Sequence, residues 1–165
     1  FISHAHEDHF GALPFLLDQL PDVSIYSAKL VAGFIEDKLV DYGIGGKKVN
    51  IIDPEGAPTT AGSFIVDAFR ITHSVPDSLG FCIGTPIGRF FHVPDYKFDW
   101  TPVDGKPFDI AKAATLAKGG VIAMASDSLG STSEGYTMSE AELEKHIGNI
   151  FKDAKGRIFV TTIAH

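Results

Sequence analysis

Four potential metal ligands lie within six positions near the start of the chain, where residues 3–9 read SHAHEDH. Imidazole nitrogen is a preferred ligand of zinc and related first-row metals, and carboxylate oxygen can complete such a site. Because alternate residues of a loop can point the same way, His4 and His6 could bind one ion while Asp8 and His9 turn towards a second. The alternative is a polar loop that happens to be rich in histidine, but three histidines and two acids in this order favour a site for two metal ions.

Two further candidate ligands each follow a predicted strand. His73 comes directly after the strand predicted at residues 63–72, and Asp95 follows the strand predicted at residues 89–93. Taken singly, His73 would more often be a hydrogen-bonded structural histidine and Asp95 a turn residue. Their order along the chain and their shared place at strand ends favour a role as ligands instead.

Apolar periodicity predicts helices and strands that alternate along the chain. Helices are expected at residues 11–20, 28–42, 109–118 and 139–152. Strands are expected at residues 23–26, 48–52, 63–72, 80–85, 89–93, 121–125 and 157–162, with 121–125 buried and a hairpin turn at Pro86-Ile87-Gly88. This order predicts an α/β sandwich with a mixed sheet. A stretch rich in Ser, Gly and Thr, residues 126–135, is the best candidate for a domain boundary.

The composition is that of a globular protein without bulk positive charge. The 165 residues are 44% hydrophobic and carry a net charge of −7 with histidine neutral. This charge argues against a nonspecific nucleic-acid binder, although an enzyme could hold RNA in a local groove. We expect neither a membrane span nor a signal peptide. The single cysteine, Cys82, cannot form an intramolecular disulfide, which fits a reduced, cytoplasmic setting and a buried apolar role.

Both ends of the chain read as interrupted strands. Phe1 and Ile2 resemble the last piece of a strand that begins earlier, and the final strand pattern is cut at its end. We therefore expect the chain to be an excerpt of a longer protein.

The ordered set of histidines and acids resembles the metallo-β-lactamase superfamily, whose signature is HxHxDH followed by a third histidine and an acid. The flanking residues are similar to ribonuclease J. The resemblance rests on residues 73–80 (HSVPDSLG), 95–107 (DYKFDWTPVDGKP), 126–140 and 155–160 (KGRIFV). It implies a partial αββα sandwich of the metallo-β-lactamase fold at residues 1–127 and the beginning of a β-CASP domain at residues 128–165.

The resemblance also implies two zinc sites, although manganese or magnesium could replace the zinc. By position in the family's motifs, the first ion would be held by His4, His6 and His73, and the second by Asp8, His9 and Asp95, with Asp95 bridging both. Asp8 would in addition orient the attacking water or take its proton. Asp127 matches the acidic residue that opens the β-CASP region near the metals.

The implied activity is hydrolysis of RNA phosphodiesters, internally or from the 5′ end, by a water that two cations activate. The implied partner is an RNA substrate and no membrane, in a cytoplasmic protein that forms homo-oligomers. Two alternatives stay open. One is another hydrolase of the same fold acting on a small ester, thioester or lactam, against which residues 97–107 and Asp127 argue. The other is a protein without catalysis, or an excerpt that is inactive by itself.

Two features depart from the family pattern. Val93-Pro94 stands where a pair such as Thr-Gly usually precedes the bridging aspartate, and proline has no amide hydrogen, so the loop that aims Asp95 could differ. A histidine that completes the second metal site in the family has no counterpart, and His165 is not assigned as a ligand. Away from the motifs, we expect His92 to lie in the core or beside the ligands and His146 to be solvated. The aromatic residues Tyr96, Phe98 and Trp100 are expected to pack under a loop rather than stack on bases.

Overall fold

A five-stranded mixed sheet with apolar clusters on both faces forms the centre of the fold in the computed structural model, which describes residues 1–20 and 22–161. In chain order the elements are α1 (Glu7–Phe10), α2 (Leu13–Leu17), β1 (Ile25–Ser27), α3 (Lys29–Asp41), β2 (Val49–Ile51), β3 (Thr59–Ala61), β4 (Phe64–Arg70), β5 (Leu79–Thr85), β6 (Gly88–Val93), α4 (Ile110–Ala117), β7 (Ala123–Ser126) and α5 (Glu140–Asp153). The large sheet has the order β3-β4-β5-β6-β7, and β1 and β2 form a separate parallel pair. The predicted α/β class is confirmed.

Three strands of the large sheet point the same way. Neighbours from β3 to β6 are antiparallel, so β4 and β6 run in one direction, and β7 is parallel to β6. The carboxyl ends of β4, β6 and β7 therefore lie at the same edge of the sheet. Side chains that follow these strands are brought to one place, although they are far apart in the sequence.

Both faces of the sheet are apolar because successive side chains of a strand point to opposite faces. Val66 and Ala68 of β4 pack with Ile35 of α3 in one cluster. Phe69 of β4 packs in the other cluster, which Ala113 of α4 joins at its edge. The sheet is thus sandwiched by α3 and α4, and this arrangement limits how far the strand ends can move.

A close contact between β4 and β5 requires a glycine. Gly80 pairs with Phe69 in the sheet register. A Cβ atom at position 80 would lie 2.4 Å from the Phe69 ring, which is far inside van der Waals contact. Gly80 thus allows the completely buried ring of Phe69 to cross the neighbouring strand.

Three features of the secondary structure within the chain differ from the predictions. The helix predicted at residues 11–20 is two short helices, because Gly11 caps α1 and Pro14 sits in the first turn of α2. The strand β3 was not predicted, since its sequence TTA has no apolar alternation. The strand β7 is exposed at every residue rather than buried, because it is the last strand of the sheet.

The remaining differences concern the two ends. Residues 157–161 form no strand, and no strand of the described residues pairs with them. Thr162, the last residue of that predicted strand, lies outside the described residues, as does His165. Phe1 and Ile2 are not in a strand either, although the amide of Ile2 donates to the carbonyl oxygen of Tyr26 at 2.8 Å.

Candidate metal centre

The histidine-rich segment begins in the protein interior and continues into the first helix. His4 is completely buried, and the carbonyl of the preceding Ser3 accepts a hydrogen bond of 2.9 Å from the amide of Leu79 at the start of β5. His6 is the N-terminal cap residue of α1, and Asp8 and His9 lie within that helix. The expectation that all four side chains belong to a loop is therefore wrong for the second pair, which one helical turn directs towards the site.

The other two candidate ligands come from the shared edge of the sheet. His73 lies three residues beyond β4, and Asp95 lies two residues beyond β6. The two loops are joined by a hydrogen bond of 2.9 Å from the amide of Lys97 to the carbonyl of Thr72. The parallel direction of β4 and β6 thus places a histidine and a carboxylate beside the N-terminal segment.

The six predicted ligands converge into two groups with one member in common. Each group offers one ligand atom per residue, and within a group these atoms all lie within 4.8 Å of one another. The first group contains His4, His6, His73 and Asp95, and the second contains Asp8, His9 and Asp95. This is the division that two cations bridged by Asp95 would need.

One oxygen of Asp95 is the point on which the ligand atoms centre. Its Oδ2 lies 3.9 Å from Nε2 of His4, 3.8 Å from Nε2 of His73 and 3.5 Å from Nε2 of His9. The same nitrogen of His9 is 3.4 Å from Oδ2 of Asp8. These separations exceed hydrogen-bond length, and they leave room for cations between the ligands.

The buried His4 ring provides an independent test of whether a cation fits. Its Nδ1 lies 3.1 Å from the hydroxyl oxygen of Ser3. Its Nε2 is buried and has no hydrogen-bond partner among the described residues. A buried polar atom without a partner is costly unless it coordinates a metal. The donor set and this atom together fit a metal ion.

Burial and the neighbouring imidazoles keep the key rings neutral. Burial, together with the nearby His9, His73 and His6 rings and against a smaller opposing effect of Asp8, lowers the pKa of His4 to about 3. Burial also lowers the pKa of His73, with His6 acting in the same direction and Asp95 against it. Neutral imidazole is the form that coordinates a metal, so the protein holds these two side chains ready to bind.

His6 and His73 approach each other at their ring nitrogens. Nδ1 of His6 is 3.0 Å from Nε2 of His73, and the ring centroids are 4.7 Å apart at an angle of 84°. Nε2 of His6 lies 3.5 Å from the hydroxyl oxygen of Ser74. The contacts of Ser3 and Ser74 were not predicted, although each serine is adjacent in sequence to a ligand.

The predicted catalytic residue Asp127 lies at the same sheet edge but in neither ligand group. It follows β7 directly, and its amide donates to the carbonyl of Val93 at 3.0 Å. Its negative charge has a small raising effect on the pKa of His73. The Val93-Pro94 pair does not move Asp95 away from the other candidate ligands, since Asp95 belongs to both groups.

The remaining sequence predictions have mixed outcomes. Cys82 is a free, buried cysteine, and His146 is exposed, as predicted. His92 lies within β6, and its pKa is lowered by burial and then by His9. Tyr96 packs against an apolar cluster, and the half-exposed Phe98 packs against the buried Phe108 with ring centroids 5.0 Å apart. Trp100 is 67% exposed, so the expectation that it packs under a loop is wrong.

Comparison with known proteins gives two kinds of match. A profile of the β-lactamase superfamily domain matches residues 1–114. Proteins called ribonuclease J match 99% of this chain: the one from Thermus thermophilus is 40% identical, that from Helicobacter pylori 36% and that from Mycobacterium tuberculosis 34%. The chain spans only 30%, 24% and 29% of these relatives, respectively.

A solved structure shares the fold at low sequence identity. A variant of a metallo-β-lactamase from Cronobacter sakazakii aligns with 92% of this chain and 61% of its own, with a TM-score of 0.51 and 12% identity. In the described part of this chain, no helix has the length and hydrophobicity needed to cross a bilayer.

Proposed function

Because the chain belongs to the β-lactamase superfamily, we propose that it forms the metal-binding part of a metal-dependent ribonuclease of the ribonuclease J kind. In this proposal residues 1–127 are part of the metallo-β-lactamase-fold domain and residues 128–165 begin a β-CASP domain. The whole protein would hydrolyse RNA phosphodiesters, internally, from the 5′ end, or both.

The convergence of six side chains, Asp95 among them, carries the proposal. The side chains come from three separate segments, and all belong to one of two groups that share this carboxylate. Two cations held in this way are the arrangement that hydrolases use for in-line displacement at phosphorus. We propose zinc for both sites, with manganese or magnesium as alternatives that the same ligands could hold.

The extent of the sequence similarity favours RNA over a small substrate. The superfamily profile ends at residue 114, whereas the ribonuclease J relatives match 99% of the chain. The similarity therefore continues through the segment that the superfamily profile leaves out. The Cronobacter structure supports the fold alone, and it does not favour lactam hydrolysis.

The side chains have separate tasks in this proposal. Bound cations would supply an activated water and neutralise charge on the phosphoryl oxygens. His4 and His73, held neutral by burial, bind without first losing a proton. The carboxylate of Asp8 is 78% exposed beside His9, so it can accept the proton of the attacking water and pass it to solvent. Asp127, directly after β7, is proposed to contribute its carboxylate to catalysis near the metal ligands.

Three further parts of the proposal concern RNA binding, cellular location and assembly. An RNA strand would need a local binding groove, since the chain carries a net charge of −7. A cytoplasmic location is supported by a single cysteine that is free in the fold. Homo-oligomer formation by the whole protein stays a prediction.

A substrate comparison on the full-length protein tests the proposal. We expect cleavage of 5′-monophosphorylated RNA, and no hydrolysis of nitrocefin or a thioester above background. Asp95→Asn should abolish the cleavage, whereas Asp104→Asn, on an exposed turn, should leave it unchanged. Turnover of nitrocefin or the thioester without RNA cleavage would contradict the proposal and favour a small-substrate hydrolase.

A further inference from the structure

The first turn of α5 is anchored to the buried carboxylate of Asp99. This side chain is 1% exposed. Its Oδ2 accepts a hydrogen bond of 2.8 Å from the amide of Glu140, the first residue of α5, and its Oδ1 accepts one of 3.0 Å from the amide of Thr101. A carboxylate is favourable there, because the amides at a helix N-terminus are unpaired and the helix dipole is positive at this end. Asp99 thus accepts a hydrogen bond from an amide in the first turn of α5, although it lies 41 residues earlier in the chain.

Lys97 supplies the positive charge that a buried carboxylate needs. Its Nζ lies 3.6 Å from Oδ2 of Asp99 and 2.6 Å from Oε1 of Glu140, and it donates to the carbonyl of Met138 at 3.2 Å. Burial by itself would raise the pKa of Asp99, but the amides of Glu140 and Thr101, together with Lys97, outweigh burial and lower it. The carboxylate is therefore ionised in this arrangement. A buried charge without such partners would be strongly destabilising.

A second contact joins the same two segments at the surface. The hydroxyl oxygens of Thr101 and Ser139 are 2.5 Å apart, and the Ser139 hydroxyl also donates to the carbonyl of Thr101 at 3.1 Å. No residue of α5 is buried in the described part of the chain. Within the described residues, this helix is therefore held by polar contacts at its N-terminus.

The other side of this network reaches the two loops that carry metal ligands. The hydroxyl of Thr72 donates to the carbonyl of Lys97, and the amide of Asp99 approaches the same hydroxyl at 3.4 Å. Thr72 immediately precedes His73, and Lys97 is two residues beyond Asp95. The segment of residues 97–101 is thus hydrogen-bonded on one side to the loop that carries His73, and on the other side to α5.

We propose that Asp99 is a positioning residue that sets where the segment beginning at α5 stands relative to the metal centre, and thereby how an RNA strand reaches the cations. The inference rests on the proposed function. Asp99 touches no ligand atom and no reacting atom, so it acts only through the position of α5. A long substrate would depend on that position, whereas a small phosphodiester would need only the metal centre.

The test compares two substrates on the full-length protein and its Asp99→Asn variant. The asparagine keeps the shape, but its amide group cannot accept both backbone hydrogen bonds, and it offers no charge to Lys97. We expect RNA cleavage to fall at least tenfold, while metal content and hydrolysis of bis(p-nitrophenyl) phosphate stay within twofold. The matched control is Asp104→Asn in the same loop, where the exposed Asp104 side chain accepts a hydrogen bond from the nearby amide of Lys106. This variant should change neither activity.

Two results would overturn the inference. One is an equal loss on both substrates, which would place the effect of Asp99 at the metal centre itself. The other is unchanged cleavage of RNA. If Asp99→Asn does not yield folded protein, the double variant Thr101→Val, Glu140→Gln removes contacts at the surface of the same junction. It should show the same split between substrates, and unchanged RNA cleavage in this variant would equally contradict the inference.

Amide hydrogen exchange separates this inference from the proposed function. Exchange of the Glu140 amide should be at least tenfold faster in Asp99→Asn than in Asp104→Asn, whatever the substrate of the enzyme. If the wild-type protein hydrolyses bis(p-nitrophenyl) phosphate but does not cleave RNA, the proposed function fails, and the exchange result still decides whether Asp99 anchors α5. Equal exchange rates in the two variants would show that it does not.

Discussion

The hydroxyl oxygen of Ser3 lies 3.1 Å from Nδ1 of His4, and the opposite nitrogen of the same ring, Nε2, lies 3.9 Å from the Asp95 carboxylate. If the serine oxygen accepts from Nδ1–H, the lone pair of Nε2 is left free towards the centre of the site. A hydrogen bond to the outer nitrogen of a ligating histidine fixes both its tautomer and its orientation. Ser3 is therefore part of the site, although it does not bind a metal.

Replacing Ser3 by alanine should weaken metal binding. We expect the affinity to fall by about tenfold to a hundredfold, the effect usual for loss of such a supporting hydrogen bond. Competition with a chromophoric chelator measures the affinity. Ser3→Thr keeps the hydroxyl and should lose less, and Ser128→Ala, at an exposed position, should lose nothing. Equal affinities in Ser3→Ala and the wild type would show that the hydroxyl does not support His4.

Replacing Asp95 should affect both metal ions, whereas replacing Asp8 should affect one. Asp95 belongs to both ligand groups and Asp8 to one only. In the full-length protein, Asp95→Asn is expected to reduce tightly bound metal from about two equivalents to less than one, and Asp8→Asn to leave about one equivalent, because Asp95 is a shared ligand and Asp8 is not. Elemental analysis after dialysis measures the content. The same stoichiometry in both variants would contradict a bridging role for Asp95.

The metal-free protein should become less stable as the pH falls below 6.5. In the folded chain burial and the nearby imidazoles lower the pKa of His4 to about 3, so the ring stays neutral, whereas in the unfolded chain it takes up a proton near its usual pKa of 6.5. Protons therefore favour the unfolded state between these values, and the loss from His4 is about 2 kcal/mol by pH 5. Urea denaturation at pH 7 and pH 5 measures it. A His4→Gln variant should lose less stability over this range, and an equal loss would assign the effect to other groups.

Gly80→Ala should destabilise the sheet. The added Cβ would meet the ring of the buried Phe69 at 2.4 Å, so the ring or the strand would have to shift. We expect a loss of about 1–3 kcal/mol in the free energy of unfolding, the usual cost of overpacking a core. Gly148→Ala is the matched control, because nothing lies within 4 Å of its added Cβ in α5. That variant should be neutral or slightly more stable, since alanine favours a helix. Equal effects of the two substitutions would contradict the contact with Phe69.

The sequence alone determined which residues could bind metal. The spacing HxHxDH and the two strand-end residues were sufficient to name all six members of the ligand groups, because ligand chemistry depends on residue type. The hairpin of β5 and β6 and the long helix α3 were also predictable, since short connections and apolar periodicity are local properties. The strand β3 and the exposure of β7 were not, because pairing and edge position depend on distant segments.

The resemblance implied how these side chains divide between two ions, but only the tertiary structure shows what brings them together and what holds them. Asp95 is the member common to both groups because β4 and β6 run in the same direction and end at one edge of the sheet. The support from Ser3 and the anchoring of α5 by Asp99 were equally invisible in the sequence. Each depends on a distance between atoms of a folded backbone, and residue types in order along a chain do not contain that distance.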